Sequence, residues 1–388
     1  MNLLVITNLF PNPVEPLRST FNERQLSALA KTSRLVVISP ISWITKLRYC
    51  ARGNLAKIQS CSKWNGIPVH YPTYYYLPKI MVWLRGFTMA ASILRQCIRS
   101  SRNQRPSVIF ATWAFPDGYA AVLIGHLIGL PVVIKVHGSD VESLNVKGLT
   151  RRMAIWALLR ARKVISVSGY LQDELIEHGV TRDKLAVVYN GVDSELFSLQ
   201  DQATARLELG LDLNRKTILF IGNLKMDKGV TDLMDALTYE VCHRFNPKLI
   251  FIGDGPLKHR LEQQVEARSL ADSVQILGRK PPEEIVKWIN AVDCLCLPSH
   301  HEGVPNVILE ALSCGVPVLA TRVGGIPEIV NRENGVLVQP QRPEALADGI
   351  TRVFERGWDR SAIRLSSPAK SWAESAATLE QEIRASIG

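Results

Sequence analysis

No acidic residue occurs between Glu23 and Asp117, although 14 Lys or Arg do. A window this one-sided cannot neutralise itself by local ion pairing, so it presents positive potential to an anionic surface or ligand. The seven cysteines (50, 61, 97, 242, 294, 296 and 314) include no Cys-x-x-Cys pair, which argues against a dithiol motif or zinc ribbon and for buried thiols in a reducing compartment. Clean apolar runs of the ~20 residues that a membrane span requires are missing as well. Residues 80–94 are broken by Arg85, and 120–136 by His126, Pro131 and Lys135. Leu3 already belongs to a strand pattern, so no secretory leader is expected. The expected location is cytoplasmic, or peripheral on the inner face of the cell membrane.

What is present is an ordinary globular composition, 46% hydrophobic and 21% charged over 388 residues, long enough for two α/β cores. The net charge of +10 is concentrated. Residues 1–197 hold 24 Lys+Arg against 11 Asp+Glu, and the remainder holds 22 against 25. The acid-free window also carries Trp43, Ile44, Leu47, Trp64, Tyr74, Tyr75, Tyr76 and an apolar stretch at 80–87. Cations mixed with aromatics suit an anionic membrane surface. No nucleic-acid motif accompanies them, and nucleic acid is not an expected partner.

Short apolar runs alternate with helical spacing along the chain. Strands are expected at 3–7, 35–39, 69–71, 107–112, 131–136, 164–167 and 185–188, with helices at 21–30, 79–101, 118–127, 147–160 and 170–178. A polar stretch at 194–214 reads as a linker. A second series follows, with strands at 217–221, 248–252, 274–277, 294–297, 316–320 and 334–338. Its helices fall at 230–237, 258–268, 282–290, about 305–314 and 343–354, before a helical tail. Alternation of this kind predicts two doubly wound parallel sheets, with domains at 1–195 and 196–360.

In such sheets ligands lie beyond the carboxyl ends of the strands. The loops 298–305 and 321–327 emerge there. A helix starting near Pro305 aims backbone N–H groups outward, a seat for an anion. Glu302 and Glu310 flank that seat, and carboxylates beside a phosphate are better suited to accepting hydrogen bonds from hydroxyls. A sugar nucleotide carries both chemistries. His137 ends a buried strand, Gly138 allows close backbone approach, and Asp140 could cap the turn. Lys228 stands at the start of the 230–237 helix, also placed for a phosphate.

Glu302 and Glu310, with seven residues between them, are followed by Ala311-Leu312-Ser313-Cys314-Gly315-Val316-Pro317-Val318 and by Gly324-Gly325-Ile326-Pro327-Glu328. This frame resembles the donor-site signature of retaining glycosyltransferases of family 4. The resemblance implies a GT-B fold, two Rossmann-like domains facing across a cleft, with a terminal helix at about 361–388 packing back on the first domain. It implies that Glu302 grips sugar hydroxyls, Glu310 the ribose, and the backbone of Gly303, Val304, Pro305, Asn306 and Val307 the diphosphate and sugar. His137 would reach the transferred sugar, and Gly253, Asp254 and Gly255 would lie beside the base. Lys228 matches the lysine of the family's diphosphate clamp, but Asn223 stands where the clamp's arginine belongs, leaving Lys225 to compensate. Ser19 replaces a glycine of the opening loop, with Arg18 a candidate substitute.

The implied reaction transfers a glycosyl group from a nucleoside diphosphate sugar with retention, the leaving diphosphate taking the acceptor's proton. No cofactor or metal is expected, and no Asp-x-Asp motif occurs. The basic, aromatic first half makes a lipid-linked saccharide the expected acceptor, in exopolysaccharide, capsule or O-antigen assembly. Competing expectations are a sugar-nucleotide epimerase on the same fold and a catalytically silent membrane-associated scaffold.

Overall fold

The computed structural model describes residues 1–54, 56, 58–77 and 81–387. The chain forms two compact units, Met1–Gly191 with Trp372–Gly388, and Val192–Ser371.

In the first unit the strands are β1 (Asn2–Ile6), β2 (Arg34–Ile38), β3 (Cys61–Trp64), β4 (Ile67–His70), β5 (Val108–Ala111), β6 (Val132–Val136), β7 (Lys163–Ser166) and β8 (Leu185–Val187). Their order is β8-β7-β6-β5-β1-β2-β4-β3, parallel except for the β3–β4 pair. Successive residues of β1 serve opposite faces, as the two-residue period of a strand dictates. Leu3 and Val5 pack with Leu26 and Leu29, whereas Leu4 and Ile6 pack with Met89, Ile93 and Ala120. The sheet order reverses between β1 and β5, so loops after those strands open a crevice at the carboxyl edge.

The C-terminal helix Trp372–Ile387 covers one face by packing on helix Thr20–Leu29, with Leu379 and Ile383 fully buried. Glu380 accepts hydrogen bonds from the Thr32 and Ser33 hydroxyls and pairs with Arg384. The single tail helix expected at 361–388 is in fact two. Arg360–Ser366 stays with the second unit, where the Arg360 guanidinium donates to Asn290 Oδ1 and the Cys314 carbonyl, each at 3.0 Å. Pro368 lies in the break that follows.

The second unit carries β9 (Thr217–Ile221), β10 (Lys248–Ile252), β11 (Val274–Ile276), β12 (Cys294–Leu297), β13 (Val318–Thr321) and β14 (Gly335–Val338). Their order is β11-β10-β9-β12-β13-β14, and every pairing is parallel. β12 is buried along its whole length, as a central strand covered on both faces must be. The order reverses between β9 and β12, which fixes the crevice at the loops 222–229 and 298–305.

Four further expectations need correction. The stretch 194–214 is not a plain linker: helix Gln202–Leu209 lies in it, and Arg206 pairs with Asp293 at 2.7 Å while donating to the Ala291 carbonyl. The first crossing between units falls at Gly191–Val192, four residues before the expected boundary. The helix expected at 79–101 runs Arg85–Gln104, and residues 79 and 80 lie outside the described residues. A helix that the sequence reading omitted, Trp43–Ala51, interrupts the basic window. Cys97, Cys294, Cys296 and Cys314 are buried thiols, but Cys50 and Cys61 are exposed.

Candidate active site

Four loops of the second unit pack backbone against backbone at the carboxyl edge. Leu224 N–H donates to the Asp254 carbonyl at 3.0 Å, and a Cβ on Gly253 would overlap the Gly222 carbonyl oxygen. A Cβ on Gly229 would overlap the carbonyl of Pro298, and one on Gly324 that of Glu302. Gly325 N–H donates to the Gly303 carbonyl at 2.8 Å, and the Thr321 hydroxyl donates to that of Ser299. The loops after β9, β10, β12 and β13 therefore form one interlocked shelf. Gly253 and Gly255 have a packing reason to be glycine independent of any ligand, and the Asp254 side chain is exposed.

On this shelf Glu302 is held at one oxygen. Lys228 Nζ lies 2.5 Å from Oε1, and the Ser299 hydroxyl donates to the same atom at 2.8 Å. Among the described residues Oε2 has no hydrogen-bond or ion-pair partner, and the side chain keeps 12% of its exposure. Beside the pair, His300 Nε2 meets Asp232 Oδ2 at 2.8 Å, and His300 N–H donates to the Asp227 carbonyl at 2.8 Å. Helix Asn306–Ser313 begins next, capped by extended Pro305 with no side-chain cap; Ile308 N–H returns to the Pro305 carbonyl. Gly303 and Val304 are buried, and Asn306, Val307 and Glu310 are half-buried on the first turns. The structure thus brings Lys228, Glu302 and the start of this helix together. Asn223 and Lys225 are exposed on the neighbouring loop, where the Lys225 N–H donates to the Asn223 carbonyl at 2.9 Å.

The first unit has its own polar cluster at its carboxyl edge. Both ring nitrogens of His137 are buried and have no hydrogen-bond partner among the described residues, and the ring packs against Phe21 (4.8 Å between centroids) and Trp113 (6.1 Å). Burial, then the nearby Lys135 charge, push its pKa well below the ordinary histidine value, so the ring is neutral and offers one donor and one acceptor. Asp140 Oδ1 accepts the His137 and Gly138 N–H groups at 2.9 and 3.1 Å, and Oδ2 accepts the Ala114 N–H at 3.2 Å. Asp140 is therefore a fully enclosed organiser of the His137 turn, and burial raises its pKa to about 6. Arg18 is engaged by Glu15 at 3.1 Å. Ser19 adopts φ 49° and ψ 50°, the left-handed conformation that a glycine accepts without strain.

Two residues of this edge escaped the sequence reading. Asp117 is fully buried, accepts the Asn8 N–H at 3.0 Å through Oδ2, and has no partner for Oδ1 among the described residues; burial lifts its pKa to about 7. Lys135 is also fully buried, and its ammonium is held by the amide oxygens of Gln25 (2.7 Å) and Asn190 (3.0 Å). Nothing local marks either residue, because their partners lie 55 to 110 positions away. Ser299, three residues before Glu302, was within reach of a local argument.

The family model for Glycosyl transferases group 1 matches residues 201–372, and that for Glycosyltransferase Family 4 matches residues 61–196. A D-inositol 3-phosphate glycosyltransferase of Corynebacterium glutamicum (strain R) is 32% identical over 69% of this chain and 67% of its own length. The chain is a family 4 glycosyltransferase. TuaC of Bacillus subtilis (strain 168), assigned to teichuronic acid biosynthesis as a glycosyltransferase, is 29% identical over 91% of this chain and 89% of its own. Among solved structures, Anabaena Alr3699/HepE in complex with UDP superposes with a TM-score of 0.76 at 22% identity, covering 99% of this chain and 100% of that one. The sucrose-phosphate synthase of Thermosynechococcus elongatus gives 0.77 at 18% identity, over 99% and 98%. The fold of this glycosyltransferase is GT-B, built from two Rossmann-like domains. Among the described residues of the transferase, no helix is long and apolar enough to cross a membrane.

Proposed function

We propose that this glycosyltransferase moves a hexosyl group from a nucleoside diphosphate sugar to a lipid-linked saccharide, with retention, in the assembly of an exopolysaccharide, capsule or O-antigen. The observation that carries the donor half is the Lys228–Glu302–Ser299 arrangement beside the uncapped start of helix Asn306–Ser313. A helix N-terminus and an ammonium favour a diphosphate, and a carboxylate with one oxygen pinned and the other open favours a hydroxyl pair. Solved structures of Anabaena Alr3699/HepE contain UDP, or UDP-glucose, which supports a nucleotide sugar as donor here too.

In this reading Glu302 holds sugar hydroxyls through Oε2, Glu310 the ribose, and Lys228 with the first turn of the helix the diphosphate. The bond from the anomeric carbon to the diphosphate breaks, and the acceptor oxygen bonds to that carbon from the same face. The acceptor's proton passes to the leaving diphosphate. Neutral His137, with both nitrogens unpartnered, contributes a hydrogen bond to a substrate hydroxyl. The charge of the leaving group is met by Lys228 and backbone amides, without a metal or other cofactor.

Glu302→Ala tests this directly. Transfer should fall by about a hundredfold to a thousandfold, the range seen when a transition-state contact is removed. Binding of the free nucleoside diphosphate, followed by calorimetry, should stay within about threefold of the parent because Lys228 and the helix start remain. Normal turnover in the variant would remove Glu302 from the site.

A peripheral membrane location completes the proposal. Helix Trp43–Ala51 carries exposed Arg48 and Leu47, with exposed Arg52 next to it, and Trp43 Nε1 ties it to the Tyr76 carbonyl at 2.8 Å. Tyr75 and Leu77 on that second segment are exposed as well. Lys46 contributes less, since its ammonium turns toward the Tyr71 carbonyl at 3.5 Å.

A further inference from the structure

A groove of about 1090 Å³ opens at the amino-terminal edge of the first unit's sheet, the edge opposite His137. Val132 and Lys163, the first residues of β6 and β7, line it, as does Lys184 just before β8. Its floor is aliphatic, formed by Val122 and Leu123 of helix Tyr119–Ile128 together with Leu130 and Pro131. The volume suits a ligand of some tens of atoms rather than a bare ion.

Three cations stand fixed around that floor with no carboxylate in ion-pair contact among the described residues, although Asp183 beside Lys184 offsets part of that lysine's charge. Arg160 lies over the Trp156 ring, 4.5 Å from its centroid. Arg162 Nε donates to the Ser386 carbonyl, and Lys184 Nζ to the Leu159 carbonyl, each at 2.7 Å. A ring face or a carbonyl orients a cation but leaves its net charge in place. Lys163 differs, being paired with Glu382 at 3.3 Å. Asp183 is the one carboxylate among the described lining residues. Positioned positive charge over an apolar floor is complementary to a molecule that is anionic at one end and apolar along its length.

We propose that this groove binds a single-chain anionic amphiphile such as an alkyl phosphate. Its chain lies along Val122, Leu123 and Leu130, and its phosphate sits among Arg160, Arg162 and Lys184. A nucleotide fits less well, because one face of Trp156 is covered by Arg160 and the same ring contacts Tyr119 at 5.1 Å, which leaves no open platform for a base. Bare phosphate would leave the aliphatic floor in water. The site is independent of the donor site, lying at the opposite edge of a different sheet.

The test titrates the full chain with decyl phosphate below its micellar concentration, and in parallel with inorganic phosphate and with decyl maltoside, following heat of binding. Decyl phosphate should bind saturably at one site, and the other two probes at least about tenfold more weakly. Arg160→Gln with Lys184→Gln should weaken decyl phosphate at least about tenfold, as loss of two charged hydrogen-bond donors implies. Unchanged circular dichroism and melting midpoint would establish that the double variant is folded, and Leu130→Glu should weaken the same ligand from the apolar side. Equal affinity for inorganic phosphate, equal affinity for the neutral amphiphile, absence of binding, or full retention in the folded double variant would each overturn the proposal.

Discussion

Asp117 illustrates how one side chain at the carboxyl edge can govern stability without being part of a recognisable motif. The carboxyl is fully enclosed, with one oxygen on the Asn8 N–H and the other unpartnered. Burial raises its pKa from the ordinary carboxylate value of 3.8 to about 7, against the opposing influence of the Asn8 N–H, Arg85 and Arg18. Between those values the folded chain keeps a proton that the unfolded chain releases, so stability falls as pH rises from about 4 to about 7. Asp117→Asn keeps the acceptor for Asn8 and removes the titration. Melting curves at steps from pH 4 to pH 8 should show the parent losing stability relative to this variant across that window, by on the order of 3 kcal/mol, and tracking it above pH 7. Parallel curves would show that the carboxyl does not change protonation there. Lys135 is the complementary case: burial lowers its pKa to about 7, so the folded chain gains stability relative to the unfolded one as pH rises from about 7 toward 10.5.

Loops rather than helices decide the geometry of the candidate donor site. The segment after β13 lies directly on the segment after β12, and Gly324, at φ 53°, has no room for a Cβ against the Glu302 carbonyl. Gly324→Ala therefore forces both loops apart. The left-handed backbone alone costs an alanine about 1–2 kcal/mol, and the overlap adds to it. Melting should show that loss, and titration should show nucleoside diphosphate affinity reduced by at least about tenfold as the start of helix Asn306–Ser313 is displaced from Lys228. Gly357→Ala, with open space around it, is the control and should change neither. The C-terminal helix acts at the same scale on the first unit. Leu379 and Ile383 are fully buried there, so it completes one face of the sheet.

Across the molecule, charge is divided as sharply as structure. The excess of positive charge lies in residues 1–197, within the unit that also exposes Leu47, Tyr75, Leu77 and Phe87. Near an anionic leaflet each cation contributes ~1 kcal/mol. Replacing Lys46, Arg48 and Arg52 by Gln should therefore weaken binding to vesicles containing anionic lipid by up to roughly a hundredfold in a flotation assay. The half-buried Lys46 should account for the smallest share. Undiminished flotation would count against this patch as a membrane contact.

The alternation of short apolar runs and helical spacing was enough to determine two predominantly parallel sheets, though not the antiparallel strand Cys61–Trp64, because buried strands and amphipathic helices carry their environment in their own periodicity. The Glu302-to-Glu328 frame likewise marked the loops of the candidate site, since the glycines and prolines that let those loops interlock stand in the sequence itself. Tertiary structure alone decided the rest. The helix at 202–209 owes its place to Arg206 reaching Asp293, and the split tail follows Arg360 onto Asn290 and Cys314. Asp117, Lys135 and the groove at the amino-terminal edge of the first sheet arise where distant segments meet, and burial of a charge is a property of that meeting, with no trace in local sequence.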